Sequence, residues 1–185
     1  MSVENELTTI HEARLGNKTA LATLYQIHKV AIYTYVYYRV EGNGTVADDL
    51  TAEVFSRMVT KIHTFKPNGK PFLAWLYTIS RNLISDYYRK EKERDNGLSQ
   101  YDPRLASTDP ELSVQLNLDS QQLLRALHKL TAEQQEVIIL RFIEGKNVAQ
   151  TAEILGKRVG AVKTMSRRAL ASLQRIMKQE GYEHV

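Results

Sequence analysis

The chain has 185 residues, 43% hydrophobic and 25% charged, with a formal net charge of +4 and no cysteine. That length allows one domain or two small ones, and the apolar fraction is too high for a disordered chain. The missing cysteine excludes disulfide frameworks, thiolate zinc sites and cysteine nucleophiles. The start, MSVENELTTI, lacks the basic-then-apolar order of a secretion signal, and no run nears the roughly 18 apolar residues of a membrane span, so the chain reads as cytoplasmic with no membrane insertion.

From Thr8 to about Val40, apolar residues recur at helical spacing (Ile10, Ala13, Leu15, Ala20, Leu24, Ile27, Ala31, Tyr35), with Gly16-Asn17 breaking the run into a short helix and a long one. Tyr33, Tyr35, Tyr37 and Tyr38 crowd the end of the long helix and read as core packing rather than base-stacking surfaces. After the turn at 41–45, a stripe of Leu50, Val54, Phe55, Met58, Val59 and Ile62 predicts another helix. Asp48, Asp49 and Glu53 gather near its start. Acids there favour the helix dipole, which is a sufficient explanation on its own; the alternative is an acidic patch that docks a basic partner.

The stretch FKPNGKP, residues 65–71, must be a loop, because its prolines and glycine oppose helix. A helix from Phe72 to about Glu93 follows, with Phe72, Leu76, Ile79, Leu83 and Tyr87 toward a core. Trp75, Thr78, Asn82, Ser85, Asp86 and Arg89 lie on another face. Aromatic, amide and basic groups beside a basic loop suit an unpaired nucleic-acid strand, which needs stacking surfaces and phosphate contacts together; Trp75 alone fits packing equally well. Residues 96–109 have few apolar positions and two turn signals, as an interdomain linker would.

Helical pattern resumes with Leu112, Leu116, Leu123, Leu124 and Leu127. A further helix starts at Leu130-Thr131, where Thr131 and Gln134 fit a capping box, and ends at Gly145. Val148, Ala152 and Leu155 then meet Val159, Val162, Met165, Ala169, Leu170, Leu173 and Ile176 across Gly156. A short helix, a turn and a second helix make a helix-turn-helix. From Lys157 to Lys178 every charged residue is basic. Solvated helices usually mix signs, whereas a recognition helix in the major groove needs Lys and Arg near its N-terminus. Gly160, Ala161 and Thr164 keep that end slim. Nothing in the chain asks for a strand, so the expected fold is all-α: two small helical domains joined by a flexible linker.

The ordered blocks ADDLTAEVF, FKPNGKPFLAWLYTISRNLISDYYRK, LTAEQQEVIILRF and TAEILGKRVGAVKTMSRRA resemble a bacterial RNA polymerase sigma factor of the extracytoplasmic-function (ECF) type, over nearly all of the chain after Leu21. The resemblance implies a sigma-two domain at 8–94, a linker at 95–111 and a sigma-four domain at 112–179. It implies docking of Asp48, Asp49 and Glu53 on the clamp helices of the beta-prime subunit, within a core polymerase whose beta subunit is also a partner. It implies capture of the melted minus-ten strand by Phe65, Lys66, Asn68, Lys70, Thr78, Arg81 and Asn82. Recognition of the duplex minus-thirty-five element would fall to Arg158, Gly160, Ala161, Lys163, Thr164, Arg167 and Arg168. Promoter DNA and an anti-sigma factor are further partners the resemblance implies. Ala52, Thr151 and Ala161 depart from the family's usual Gln, larger aliphatic and Thr.

Two other functions compete. A self-standing helix-turn-helix repressor or activator would not need the FKPNGKP loop beside a face of Trp, Asn and Arg. An enzyme fares worst: His11, His28, His63, His128 and His184 are scattered, and HExxH, G-x-S-x-G and a phosphate-cradling loop are all missing. His63 and His128 read as surface or boundary residues. Asp48-Asp49 without a phosphate cradle is a poor magnesium site, so no catalytic residue, metal or cofactor is expected.

Overall fold

The computed structural model describes residues 3–67, 69–95 and 118–181. Among these residues every regular element is helical and no strand occurs. Helix α1 (Val3–Arg14) ends at a turn through Gly16. Helix α2 (Lys18–Arg39) starts at Asn17, whose side chain accepts from the N–H groups of Thr19 and Ala20. Asn43 does the same for α3 (Gly44–Lys61), accepting from Val46 N at 3.1 Å. Each cap satisfies an N–H that the helix itself cannot. A single 3₁₀ turn, Ile62–Thr64, leads into the loop, and α4 (Phe72–Asp95) begins directly after Pro71.

The second group of helices is equally well punctuated. Helix α5 (Leu118–His128) precedes α6 (Ala132–Ile138), and Thr131 and Gln134 form the expected reciprocal capping box. Helix α7 (Val148–Leu155) has a second box, from Asn147 and Gln150, that sequence reading missed. Gly156 takes the left-handed conformation at φ 63° and hands the chain to α8 (Val159–Gln179). The stretch between α6 and Gly145 is not a continued α-helix. It widens into a π turn at Ile139–Ile143, where Glu144 N bonds Ile139 O at 2.8 Å.

The tyrosine-rich end of α2 is packing, as expected: Tyr33, Tyr35 and Tyr37 are buried, and Tyr35 meets Tyr77 edge-on with ring centroids 4.9 Å apart. Several stripe residues fall outside the core. Leu15, Ile27, Val59, Val159 and Leu170 are exposed, Leu15 at 76%. Leu15 lies beyond the last turn of α1, and the others sit at the margins of their apolar faces, where spacing alone cannot separate buried from exposed. Helix α4 errs in the other direction. Phe72, Leu76, Ile79 and Leu83 are buried as expected, but so are Tyr77, Ser80 and Ile84 on a second face.

That second face exists because the two halves of the chain pack together. Leu124, Ile139, Leu140 and Ile154 share one continuous core with Leu24, Tyr35, Tyr77 and Ile84, while α5, α6 and α8 hold a smaller core of their own around Leu127, Ile138 and Ala169. A polar seam runs beside the shared core. Glu136 accepts from Tyr35 Oη at 2.8 Å and from Arg39 Nη1 at 3.1 Å, and Arg81 Nη1 lies 3.7 Å from its other oxygen. Tyr77 donates to Glu144, and His128 meets Glu41 at 3.0 Å. Gly42 has no side chain where a Cβ would stand 2.5 Å from Leu124 Cδ1, which lets α5 approach this closely. Of the linker expected at 95–111, only Asp95, the last residue of α4, is among the described residues; Asn68 and the expected domain start at 112 also lie outside them.

Candidate nucleic-acid interface and docking face

The acids of α3 are not first-turn acids. Asn43 caps the helix and Gly44 is its first residue, so Asp48, Asp49 and Glu53 lie beyond the first turn. The dipole's influence fades within that turn, so the dipole explanation no longer suffices. Asp49 and Glu53 instead rim a cleft of about 320 Å³ floored by Val46, Leu50, Leu83 and Tyr87, with Arg57, Asp86 and Lys90 also at its edge. Glu53 holds Arg57 at 2.7 Å. Partial burial pushes the Asp49 carboxyl up from its ordinary value. Asp48 does not line this cleft; its charge acts on Tyr33, whose phenol is raised chiefly by burial and secondarily by Asp48.

A second cleft, about 340 Å³, opens between the 65–71 loop, α4 and the turn after α7. Thr64, Phe65, Lys66, Lys70, Ala74, Trp75, Thr78 and Arg81 line one side, and Glu153, Ile154, Leu155 and Gly156 the other. The structure therefore brings Lys66, Lys70, Thr78 and Arg81 together as expected. Asn82 is exposed on α4 but does not line the cleft. Phe65, which the resemblance sets against the melted strand, lines the cleft with its side chain largely buried, 5.0 Å from Phe72 and 5.5 Å from Trp75 between ring centroids. Phe65 supports Trp75, and the half-buried Trp75 is the aromatic surface the cleft presents. Arg81 Nη2 donates to Thr78 Oγ1 at 3.1 Å, which fixes both groups on the cleft wall.

On α8, Val162, Ser166, Ala169, Leu173 and Ile176 face inward, which leaves Arg158, Gly160, Ala161, Lys163, Arg167 and Arg168 exposed on one surface. Thr164 is half-buried and donates to Gly160 O at 3.2 Å. Among the described residues, Arg158, Lys163, Arg167 and Arg168 have no ion-pair partner. Arg158 at the N-cap makes no side-chain cap, so the first N–H groups of α8 stay available beside these cations. Lys157 differs: Glu133 of α6 neutralises it at 3.0 Å, which counting charges along α8 alone could not reveal. A slim, basic helix end beside an open N-terminus is what major-groove entry requires.

Comparison with known proteins matches both halves. The sigma-70 region 2 family model covers residues 24–94, and the sigma-70 region 4 model covers residues 120–173. The ECF RNA polymerase sigma factor SigW of Bacillus subtilis is 31% identical over 182 residues, covering 91% of this chain and 95% of SigW. The chain belongs to the ECF sigma factors. BldN of Streptomyces coelicolor, also an ECF sigma factor, is 38% identical over 174 residues; the match covers 93% of this chain and 66% of BldN. Among solved structures, CnrH in complex with the cytosolic domain of CnrY superposes with a TM-score of 0.68 at 25% identity, covering 94% of this chain and 97% of that one. RpoE from Bartonella quintana, in complex with the anti-sigma factor NepR, gives a TM-score of 0.61 at 25% identity, covering 85% and 96%. As a sigma factor the chain directs RNA polymerase to promoters. Among the described residues no helix is long and apolar enough to cross a membrane, and no group of three acidic or histidine side chains could hold a metal.

Proposed function

We propose that this ECF sigma factor acts in the cytoplasm by binding rather than by catalysis, with its three surfaces taking three separate roles. Residues 8–94 form the sigma-two domain and 112–179 the sigma-four domain, with 95–111 between them. The cleft rimmed by Asp49 and Glu53 docks on basic helices of core polymerase, its apolar floor receiving aliphatic side chains and its acids matching their charge. Asp48 contributes only long-range charge. The loop and α4 cleft holds the melted minus-ten strand: Lys66, Lys70 and Arg81 meet phosphates, Trp75 stacks on a base, and Asn68 and Asn82 read base edges beside it. The exposed start of α8 reads the minus-thirty-five element as duplex. The observation that carries this division is chemical. Trp75, a stacking surface, is set beside Lys66, Lys70 and Arg81 as an unpaired strand requires, whereas the α8 cations stand on an open, slim helix end. An anti-sigma factor, as NepR is for the neighbour RpoE, is the expected partner that silences the protein.

Transcription with purified core polymerase on genomic promoter fragments tests the reading, and no transcript should form without this protein. Asn82→Ala should spare closed-complex formation and lower permanganate reactivity of promoter thymines, because a base enters the cleft only after leaving the stack. Lys163→Ala should weaken duplex binding across sequences, as loss of a phosphate contact does, and be largely bypassed on a pre-melted template. If both substitutions act only on duplex binding, the division of labour is wrong.

A further inference from the structure

Helix α1 lies outside the sigma-70 region 2 match, which begins at residue 24, yet Ile10 and Ala13 seat it in the core of the first domain. It reaches the strand loop by two ties, one at each end. At the entry, Arg14 Nη2 donates to the carbonyl of His63 over a long 3.5 Å, in the 3₁₀ turn directly ahead of Phe65. At the exit, Glu6 Oε1 meets His28 Nε2 at 3.0 Å, and the His28 ring stands 5.6 Å from that of Phe72, the first residue of α4. Phe72 in turn has Phe65 at 5.0 Å and Trp75 at 5.4 Å between ring centroids. Resting on the functional reading above, we propose that α1 is a brace for the strand cleft, with Glu6, His28 and Arg14 as positioning residues that set where Trp75 stands.

The chemistry of the Glu6–His28 pair suits a ring held in one pose. Among the described histidines only His28 is buried, and a buried imidazole must find a partner for its polar nitrogen, which an apolar residue of similar size would not. The hydrogen bond to His28 holds the Glu6 carboxyl below its ordinary value, against the opposing effect of partial burial. Glu6 is therefore ionised at neutral pH and can only accept, so Nε2 of His28 carries the proton. That bond fixes the imidazole plane, which lies at 44° to the Phe72 ring. Phe72 is itself buried among His28, Phe65 and Trp75, and a close-packed interior passes a displacement of one ring to the next. A base stacks well only on a surface already held in place by its supporting residues. Arg14 works from the other side, on the backbone two residues before Phe65. None of the three residues lines the α3 docking cleft or belongs to α8, so their loss should show in strand capture alone.

Trp75, the only tryptophan in the chain, reports on the cleft directly. In the full chain, Glu6→Ala should shift the Trp75 emission maximum and increase its quenching by acrylamide. Glu6→Gln keeps an oxygen acceptor for Nε2 and should match the wild type. In holoenzyme, Glu6→Ala should weaken binding to a template pre-melted at minus ten by about fivefold, the contribution of one hydrogen bond, and Arg14→Ala should add a smaller loss. Binding to core polymerase and to duplex minus-thirty-five DNA should stay at the wild-type level. The control is Ile10→Val, which trims buried volume from the same helix and leaves both ties in place; its strand affinity should not change. If Ile10→Val loses strand affinity as Glu6→Ala does, α1 acts through stability alone and the brace is overturned. Wild-type emission and strand affinity in Glu6→Ala overturn it too, as does the full loss in Glu6→Gln or an equal loss of core and duplex binding in Glu6→Ala. Strand that leaves wild-type Trp75 emission unchanged overturns the reading of the cleft instead, and the emission of free Glu6→Ala still decides whether α1 sets Trp75.

Discussion

Glu144→Gln is the substitution whose effect can be worked out most fully. The Glu144 side chain is 5% exposed, accepts from Tyr77 of α4, has Lys146 Nζ at 3.8 Å, and leaves one oxygen unpartnered. Burial dominates over the opposing pull of Tyr77 and Lys146, and the carboxyl is pushed up from 4.5 to about 7. At about 1.36 kcal/mol per pKa unit this amounts to about 3 kcal/mol. The sign follows from proton binding: between pH 4.5 and about 7 the folded chain holds a proton that the unfolded chain has released. Wild-type stability therefore falls as pH rises through that window and levels off above it. Gln mimics the protonated acid and removes this dependence. Urea unfolding of both proteins from pH 4.5 to 8 should give similar stability at the acid end and a gap growing to about 3 kcal/mol in favour of Glu144→Gln by pH 7.5. Comparing the two proteins cancels titrations elsewhere, such as the Glu6 carboxyl, which is lowered by its hydrogen bond to His28. Parallel curves across the range would refute the account of Glu144 as a carboxyl buried by the domain seam.

Charge reversal at both Asp49 and Glu53 should weaken core-polymerase binding at least tenfold by a competition assay while far-ultraviolet circular dichroism stays unchanged, since loss of dipole support costs only about 0.3–1 kcal/mol per acid even at a helix start; unchanged affinity would remove the docking role. Gly156→Ala should lower stability by about 1–2 kcal/mol in thermal melts, because φ is 63° and a Cβ there meets no atom within 4 Å, so strain acts alone. Thr131→Ala should cost about 1 kcal/mol through loss of the capping box, read by the same melts.

Local chemistry was legible in the sequence because it depends on residues close along the chain. Helix periods, the Asn17 and Gly16 break, the Thr131 box, the left-handed Gly156 and the basic face of α8 all follow from neighbours within a few positions. Even the grouping of Lys66, Lys70, Thr78 and Arg81 follows from one loop feeding one helix face. The tertiary structure decided what lies between distant segments. Phe65 is buried because Phe72 and Trp75 close around it. Lys157 is neutralised by an acid 24 residues away. Tyr77 and Ile84 are buried on a second face of α4, beyond the expected stripe, because that helix lies in a core shared with Leu124, Ile139, Leu140 and Ile154 of the second domain. Glu136 and Glu144 resemble any helix-surface acids until that packing sets them against Arg39, Arg81 and Tyr77. Periodicity reports which face of a helix is apolar; it carries no information about which other helix arrives to cover it.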